Sequence, residues 1–141
     1  SPNYQSFINE LIAKEQIDLI IPGIEQDMYR LFNLKDHINT KVVLNNELLI
    51  RLSKDKLETY KYFHESGMNV IPTLFQASYE ECVEKLGSPF LLKPRTSYAS
   101  KGIHKIYSKE EFDFYNKNKD ANIFQRIIGT ESEEYTIAVF V

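Results

Sequence analysis

The chain has 141 residues, 43% of them apolar, and its 17 Lys and Arg against 20 Asp and Glu give a formal charge of −3. That is enough core-forming material, with nine Tyr and nine Phe but no Trp, for one domain or for a small domain with part of another. Its basic residues alternate with acids and form no stripe for a nucleic-acid groove, the lone Cys82 excludes an internal disulfide framework, and the apolar runs at 17–21 and 48–50 are too short to cross a bilayer.

Residues 1–10 show no signal-peptide pattern, so a cytoplasmic protein with neither nucleic acid nor membrane as partner is the expectation. Tyr4, Phe7, Ile8, Leu11 and Ile12 recur at helical spacing. The β-branched run Ile17-Asp18-Leu19-Ile20-Ile21, stopped by Pro22-Gly23, predicts a buried strand. Met28, Leu31 and Phe32 mark a second helix, and residues 41–44 a second short strand. Helix–strand–helix–strand order without hairpin signals reads as parallel α/β structure. Glu25 and Asp27 open the second helix, where an acid can bind a ligand; the helix dipole favours acids there in any case.

From Asn45 the rhythm changes. Ser53 is the predicted N-cap of a helix with Leu57, Tyr60 and Phe63 inward and Gly67 as its stop. Residues 69–72 read as a short extended piece. Ser78-Tyr79-Glu80-Glu81 is a capping box opening a helix that ends at Leu86-Gly87, with Cys82 packed inside it and no neighbouring base to activate the thiol. A strand at 90–93, a polar loop at 96–101 and a strand at 103–107 follow. A second capping box at 108–111 opens a helix carrying Phe112 and Tyr115, and residues 122–125 form another strand. At 134–141 the pattern alternates, with Tyr135, Ile137, Val139 and Val141 on one face. Both ends read as cut, so a fragment of a longer protein is expected. An uncovered apolar strand pairs readily with another chain, which makes self-association an expectation too.

The chemistry concentrates between Phe90 and Ile103. Lys93 ends a buried strand and can hold a fixed positive charge at a pocket wall by its aliphatic stem. The small, polar loop behind it offers backbone amides, the donors of Ser97, Ser100 and Lys101, and the open backbone of Gly102, a combination that suits a polyphosphate. The same residues also make a basic hairpin turn with Lys93 snorkelling to water, and on this stretch alone the hairpin is the simpler account. His37, His64 and His104 form no i,i+4 pair or Cys/His cluster for zinc, and there is no Gly-x-x-x-x-Gly-Lys-Ser/Thr phosphate loop.

Taken together, strand, Lys93-Pro94, covering loop and strand resemble the ATP-grasp pattern of carbamoyl-phosphate synthase large chains, biotin carboxylases and D-alanine–D-alanine ligases. Three further pieces stand in that family's order: Ser53-Lys54-Asp55-Lys56 leading to Gly67 and Pro72, Phe124-Gln125-Arg126-Ile127-Ile128-Gly129, and Glu134-Tyr135-Thr136. The resemblance, over residues 17–141, implies an α/β fold. It consists of the end of a Rossmann-like pre-ATP-grasp parallel sheet at 1–44, the small α+β N-terminal ATP-grasp subdomain at 45–124, and the hinge and first strand of the second subdomain at 125–141.

It further implies that Lys93 and Lys56 meet the phosphates of ATP from two sides, under a lid formed by residues 96–102. Gln125 would face the adenine amino group, and the backbone of Arg126, Ile127 and Ile128 the adenine edge. Glu134 would accept the ribose hydroxyls, with Glu131 and Glu133 as alternatives. The loop departs from the family pattern in keeping one glycine, Gly102, with Ser97, Tyr98 and Ala99 where small residues are usual. The magnesium ligands are expected beyond Val141, with no metal ligand and no catalytic residue in this stretch. The implied reaction is ATP-dependent ligation: a carboxylate or bicarbonate becomes an acyl phosphate and an amine or ammonia displaces phosphate, closest to the carbamoyl-phosphate synthase branch. The stretch alone is expected to turn over nothing. A non-catalytic nucleotide-binding or scaffolding domain of the same fold is the rival reading.

Overall fold

A computed structural model of the chain describes residues 3–98, 100–130, 132 and 135. The chain divides into two compact units, Ser1–Arg51 and Leu52–Val141.

In the first unit, helix α1 (Tyr4–Glu15) and helix α2 (Glu25–Leu34) accompany strands β1 (Leu19–Ile20) and β2 (Lys41–Val42). A 3₁₀ turn (Lys35–His37) follows α2. The strands pair in parallel, Leu19 with Lys41 and Ile20 with Val42, as the order of elements requires. Ile12, Leu31 and Ile38 form a core against which Tyr4, Ile8, Ile20 and Val42 pack. The expected buried strand is therefore short and covered on one face only: Ile20 turns inward, while Ile21 is 71% exposed. Leu19, on the same side as Ile21, is 48% exposed as well. Helix α3 (Glu47–Lys54) runs through the division between the units.

The second unit is an antiparallel sheet with helices. Strands β3 (Thr73–Leu74), β4 (Phe90–Pro94), β5 (His104–Ile106) and β6 (Asn122–Arg126) lie in the order β3-β6-β4-β5. Phe90 pairs with Arg126, Leu92 with Phe124 and Leu74 with Phe124, so Phe90, Leu92, Phe124 and Leu74 share a face. Onto it pack Cys82 and Leu86 from helix α5 (Tyr79–Leu86) and Phe112 from helix α6 (Lys109–Tyr115). Cys82 is buried and its thiol pKa is pushed up to about 12 by burial and the nearby Glu81 charge. It is core filling, as the sequence suggested.

Local signals set most of these limits. Ser78 caps α5 by accepting from the Glu81 amide at 3.2 Å while the Glu81 carboxylate accepts from the Ser78 amide at 2.9 Å. Ser78→Ala is expected to lower stability by about 1 kcal/mol, read from the denaturant midpoint of the full chain; an unchanged midpoint would discount this cap. The second box closes differently. Ser108 accepts from the Glu111 amide, but the Glu111 carboxylate reaches one residue further back, to the Tyr107 amide at 2.7 Å.

The start of helix α4 (Lys56–Glu65) corrects the sequence reading. Its N-cap is Asp55, which accepts from the Leu57 amide at 2.9 Å, and Ser53 lies inside the preceding helix α3. Both residues are good caps; Asp55 has a distant partner, Arg95, that no local pattern reveals. At the other end Gly67, at φ +73°, lets its own amide reach the His64 carbonyl and the Met68 amide reach Phe63, the two bonds of a Schellman stop. The extended piece expected at 69–72 joins the sheet only at its end: the Pro72 carbonyl accepts from the Arg126 amide at 3.0 Å, Pro72 has no amide to donate in return, and β3 begins at Thr73. The alternating strand expected at 134–141 lies outside the described residues apart from Tyr135. Among the described residues no helix is long and apolar enough to cross a membrane.

Candidate functional site

Antiparallel pairing puts Leu91 beside Gln125 and Lys93 beside Ile123, on the sheet face opposite the aromatic core. With Thr59, Tyr60 and Phe63 of α4 and the segment Val70-Ile71, the side chains of Lys93, Ile123 and Gln125 line a cavity of about 290 Å³. Lys56 lines it too, from the first turn of α4. The cavity thus has aromatic and aliphatic walls and two ammonium groups, and no Asp or Glu is among its described lining residues.

Lys93 is half-buried, and its Nζ donates to Gln125 Oε1 at 2.6 Å, a neutral amide rather than a carboxylate. Burial, and secondarily the positive charge of Lys56, pull its pKa below the ordinary lysine value. An ammonium so placed gains more from an arriving anion than one in water, because burial has already removed part of its solvation. Gln125 is held in turn: its Nε2 donates to Thr73 Oγ1 at 3.0 Å, and the Thr73 hydroxyl donates to the Ile71 carbonyl at 2.8 Å.

The loop after β4 is tied to the start of α4. Lys56 Nζ donates to both the carbonyl and the hydroxyl of Ser97, each at 3.0 Å. The Lys56 amide donates to the Arg95 carbonyl at 3.0 Å, and the Arg95 guanidinium grips both carboxylate oxygens of Asp55, at 2.5–3.2 Å. Burial alone would raise the Asp55 carboxyl. The hydrogen bonds from Arg95 and the Leu57 amide, with the Arg95 charge, outweigh it and hold the pKa below its ordinary value. Gly102 is needed for two reasons: its φ is +76°, and a Cβ there would meet Pro94 Cγ at 2.8 Å. The one glycine of the loop therefore sits where the backbone crosses the proline ring.

Of the residues singled out from the sequence, Lys56, Lys93 and Gln125 line one cavity, and Ser97 joins it through Lys56. Ser100 is exposed, in a left-handed conformation at φ 55°, and Lys101 folds back on Tyr98, its Nζ 4.5 Å from the ring centre and 3.3 Å from the hydroxyl. Neither these two nor Gly102 is among the lining residues. Arg126 turns away: its guanidinium donates to the carbonyls of Leu86 at 3.3 Å and Lys85 at 2.7 Å, closing the end of α5, and its amide donates to the Pro72 carbonyl. Ile127 is half-buried and Ile128 exposed beyond the strand. Glu134, with Glu131 and Glu133, lies outside the described residues. Thr73 escaped the sequence reading, its only signal being one hydroxyl inside the apolar run 70–75. In the first unit, Glu25 lines a cavity of about 330 Å³ with Ile21, Met28 and Val43. Among the described residues no group of three His, Cys, Asp or Glu could hold a metal ion.

Comparison with known proteins bears on this arrangement. Residues 53–141 match the family described as the ATP-grasp domain. A formate-dependent phosphoribosylglycinamide formyltransferase from Methanocaldococcus jannaschii is 30% identical over 115 residues, covering 73% of this chain and 27% of that protein. Among solved structures, biotin carboxylase from Campylobacter jejuni, in its β-γ-ATP complex, superposes with a TM-score of 0.69 at 16% identity, over 92% of this chain and 34% of that one. The ADP complex of an N5-carboxyaminoimidazole ribonucleotide synthetase gives a TM-score of 0.65 at 22% identity, over 93% of this chain and 35% of that one. The chain thus spans about a third or less of the length of these proteins.

Proposed function

The chain belongs to the ATP-grasp domain family, and from that premise we propose that the cavity between α4 and the open sheet face binds ATP for a ligase. In this reading the enzyme converts a carboxylate or bicarbonate to an acyl phosphate, which an amine or ammonia then attacks. Residues 1–44 belong to a pre-ATP-grasp unit, 45–124 to the nucleotide-binding subdomain and 125–141 to the hinge and the opening of the next subdomain.

One observation carries the reading: the half-buried Lys93 ammonium, its charge disfavoured by burial and met by the Gln125 amide, stands in an apolar-walled cavity beside Lys56. Apolar walls suit a purine, and the cations suit its phosphates. The described residues that fit ATP are Lys56, Lys93 and Gln125, with the aromatic side of α4. They offer no acidic set for Mg²⁺, so on these elements the phosphate charge is met by lysine. The finer reading, a carbamoyl-phosphate synthase-like enzyme, rests on the parallel α/β unit that precedes the lysine helix. The formate dependence named for the curated relative supports a small carboxylate as the activated group.

Lys93→Ala in the full-length protein is expected to weaken ATP binding by about 1.5–3 kcal/mol, the loss of one charge-assisted contact. Titration calorimetry reads it, and unchanged affinity would remove the site. The stacking of Lys101 on Tyr98 favours a second reading, a non-catalytic nucleotide-binding domain, because that lysine is held on its own loop. Tight ATP binding without turnover, with carboxylate and amine supplied, would select it.

A further inference from the structure

Thr73 sits on β3, 6% exposed, outside the cavity lining, and is bonded to two residues that belong to it, Ile71 and Gln125. Its hydroxyl has one proton, and that proton is committed: Thr73 Oγ1 donates to the Ile71 carbonyl at 2.8 Å. Toward Gln125 the same oxygen can therefore only accept. Gln125 must offer it the NH₂ end, which it does at 3.0 Å, and this leaves the amide oxygen to face the other way. There it accepts from Lys93 Nζ at 2.6 Å. The opposite end of the chain imposes the same polarity, since an ammonium has only donors. A flipped amide would set NH₂ against NH₃⁺ and leave the Thr73 oxygen facing a carbonyl.

We propose that Thr73 is a positioning residue for nucleotide binding: it fixes the orientation of the Gln125 amide, and through it holds the Lys93 ammonium charged and directed into the cavity. The proposal rests on the reading of this cavity as the ATP site. The relay Ile71–Thr73–Gln125–Lys93 runs from a backbone carbonyl to the phosphate-binding cation, and each member has its polarity set by the one before. Valine in place of Thr73 keeps the branched shape and removes the acceptor. The amide then loses one of the two partners that set its orientation and keeps only Lys93, so its oxygen is held toward the ammonium less firmly. With its oxygen on Lys93 and its nitrogen on Thr73, Gln125 serves the phosphate side in this proposal, in place of the adenine contact that the family resemblance implies for it, so the effect belongs to the phosphates and not to the base.

The test is calorimetric titration of the full-length protein with ADP and with adenosine. Thr73→Val is expected to weaken ADP about tenfold, one buried hydrogen bond's worth, and to leave adenosine within about twofold. Thr73→Ser, which keeps the hydroxyl, is expected to restore ADP binding. In a Lys93→Ala background Thr73→Val is expected to change nothing further, because the group it positions is gone. Equal losses for ADP and adenosine in Thr73→Val would make Thr73 a structural residue and overturn the proposal, as would full additivity with Lys93→Ala. If Thr73→Val does not fold, Thr73→Ser decides alone: ADP affinity within threefold of the parent supports the relay, and a larger loss with intact adenosine binding refutes hydroxyl rescue. Failure of the underlying site looks different, with Lys93→Ala itself leaving ADP binding unchanged.

Discussion

Replacing Phe124 by alanine is expected to lower the stability of the second unit by about 3–5 kcal/mol, the range for a large aromatic removed from a closed core. Phe124 is fully buried, on the strand between β3 and β4, paired with Leu74 and Leu92. Its ring lies 5.1 Å from that of Phe112 and meets Phe90 edge-on at 6.2 Å. The cavity it would leave is walled by strand on one side and by α5 and α6 on the other, so little can move in to fill it. The consequence reaches the candidate site because Ile123 and Gln125, its neighbours in β6, point to the opposite face and line the cavity there. Denaturant unfolding of the full-length protein measures the loss, and Phe124→Leu should recover most of it. A loss below about 1 kcal/mol in Phe124→Ala would mean that the packing of this sheet is misplaced.

Asp55→Ala is expected to cost about 2–4 kcal/mol, since one carboxylate does two jobs. It caps α4 through the Leu57 amide, and it pairs with Arg95, whose side chain is 26% exposed. Without it, Arg95 keeps the Asp120 carbonyl at 3.4 Å, the Phe75 ring, with its guanidinium carbon 5.2 Å from the ring centre, and the weaker fields of the Glu58 and Asp120 carboxylates, but loses its hydrogen-bonded ion pair. Asp55→Asn, still a good cap, should lose the ion-pair part alone and fall between the two. The pH dependence has a definite sign. The folded-state pKa of Asp55 is depressed, so its contribution is complete above the unfolded carboxylate pKa and is lost as pH falls through the folded value. The gap between wild type and Asp55→Ala should therefore be largest at neutral pH and close on acidification. Thermal or denaturant unfolding at both ends of that range reads it, and a gap that widens in acid would assign the stabilisation to something other than the ionised pair.

Much of the fold was legible because it is written in short-range terms. The Ser78–Glu81 box, the Gly67 stop and the apolar runs of β4 and β6 are properties of adjacent residues, and each appears where the sequence places it. Helix α3 starts at an Asn46 cap, whose Oδ1 accepts from the Leu49 amide at 2.9 Å, but runs only to Lys54, so Ser53 falls inside it; the cap of α4 is chosen by Arg95, forty residues away. The strand at 17–21 was overestimated because β-branched composition reports a tendency to extend, while burial depends on what covers the face.

For the candidate site the division is sharper. The sequence by itself determined the cast: a lysine ending an apolar strand, a polar loop with one glycine, a lysine at a helix start, and an amide on the last strand. Only the tertiary structure decided which of them meet. Antiparallel register brings Lys93 and Gln125 to one face, the Asp55–Arg95 grip fixes Lys56 beside Ser97, and the Arg126 side chain closes the end of α5. Thr73 could not be found at all from the sequence. Its role is the direction of one hydroxyl proton, fixed by a carbonyl two residues away and an amide fifty-two residues on. Periodicity reports which side chains share a face, but the polarity of a hydrogen-bond relay depends on atoms that only folding brings together.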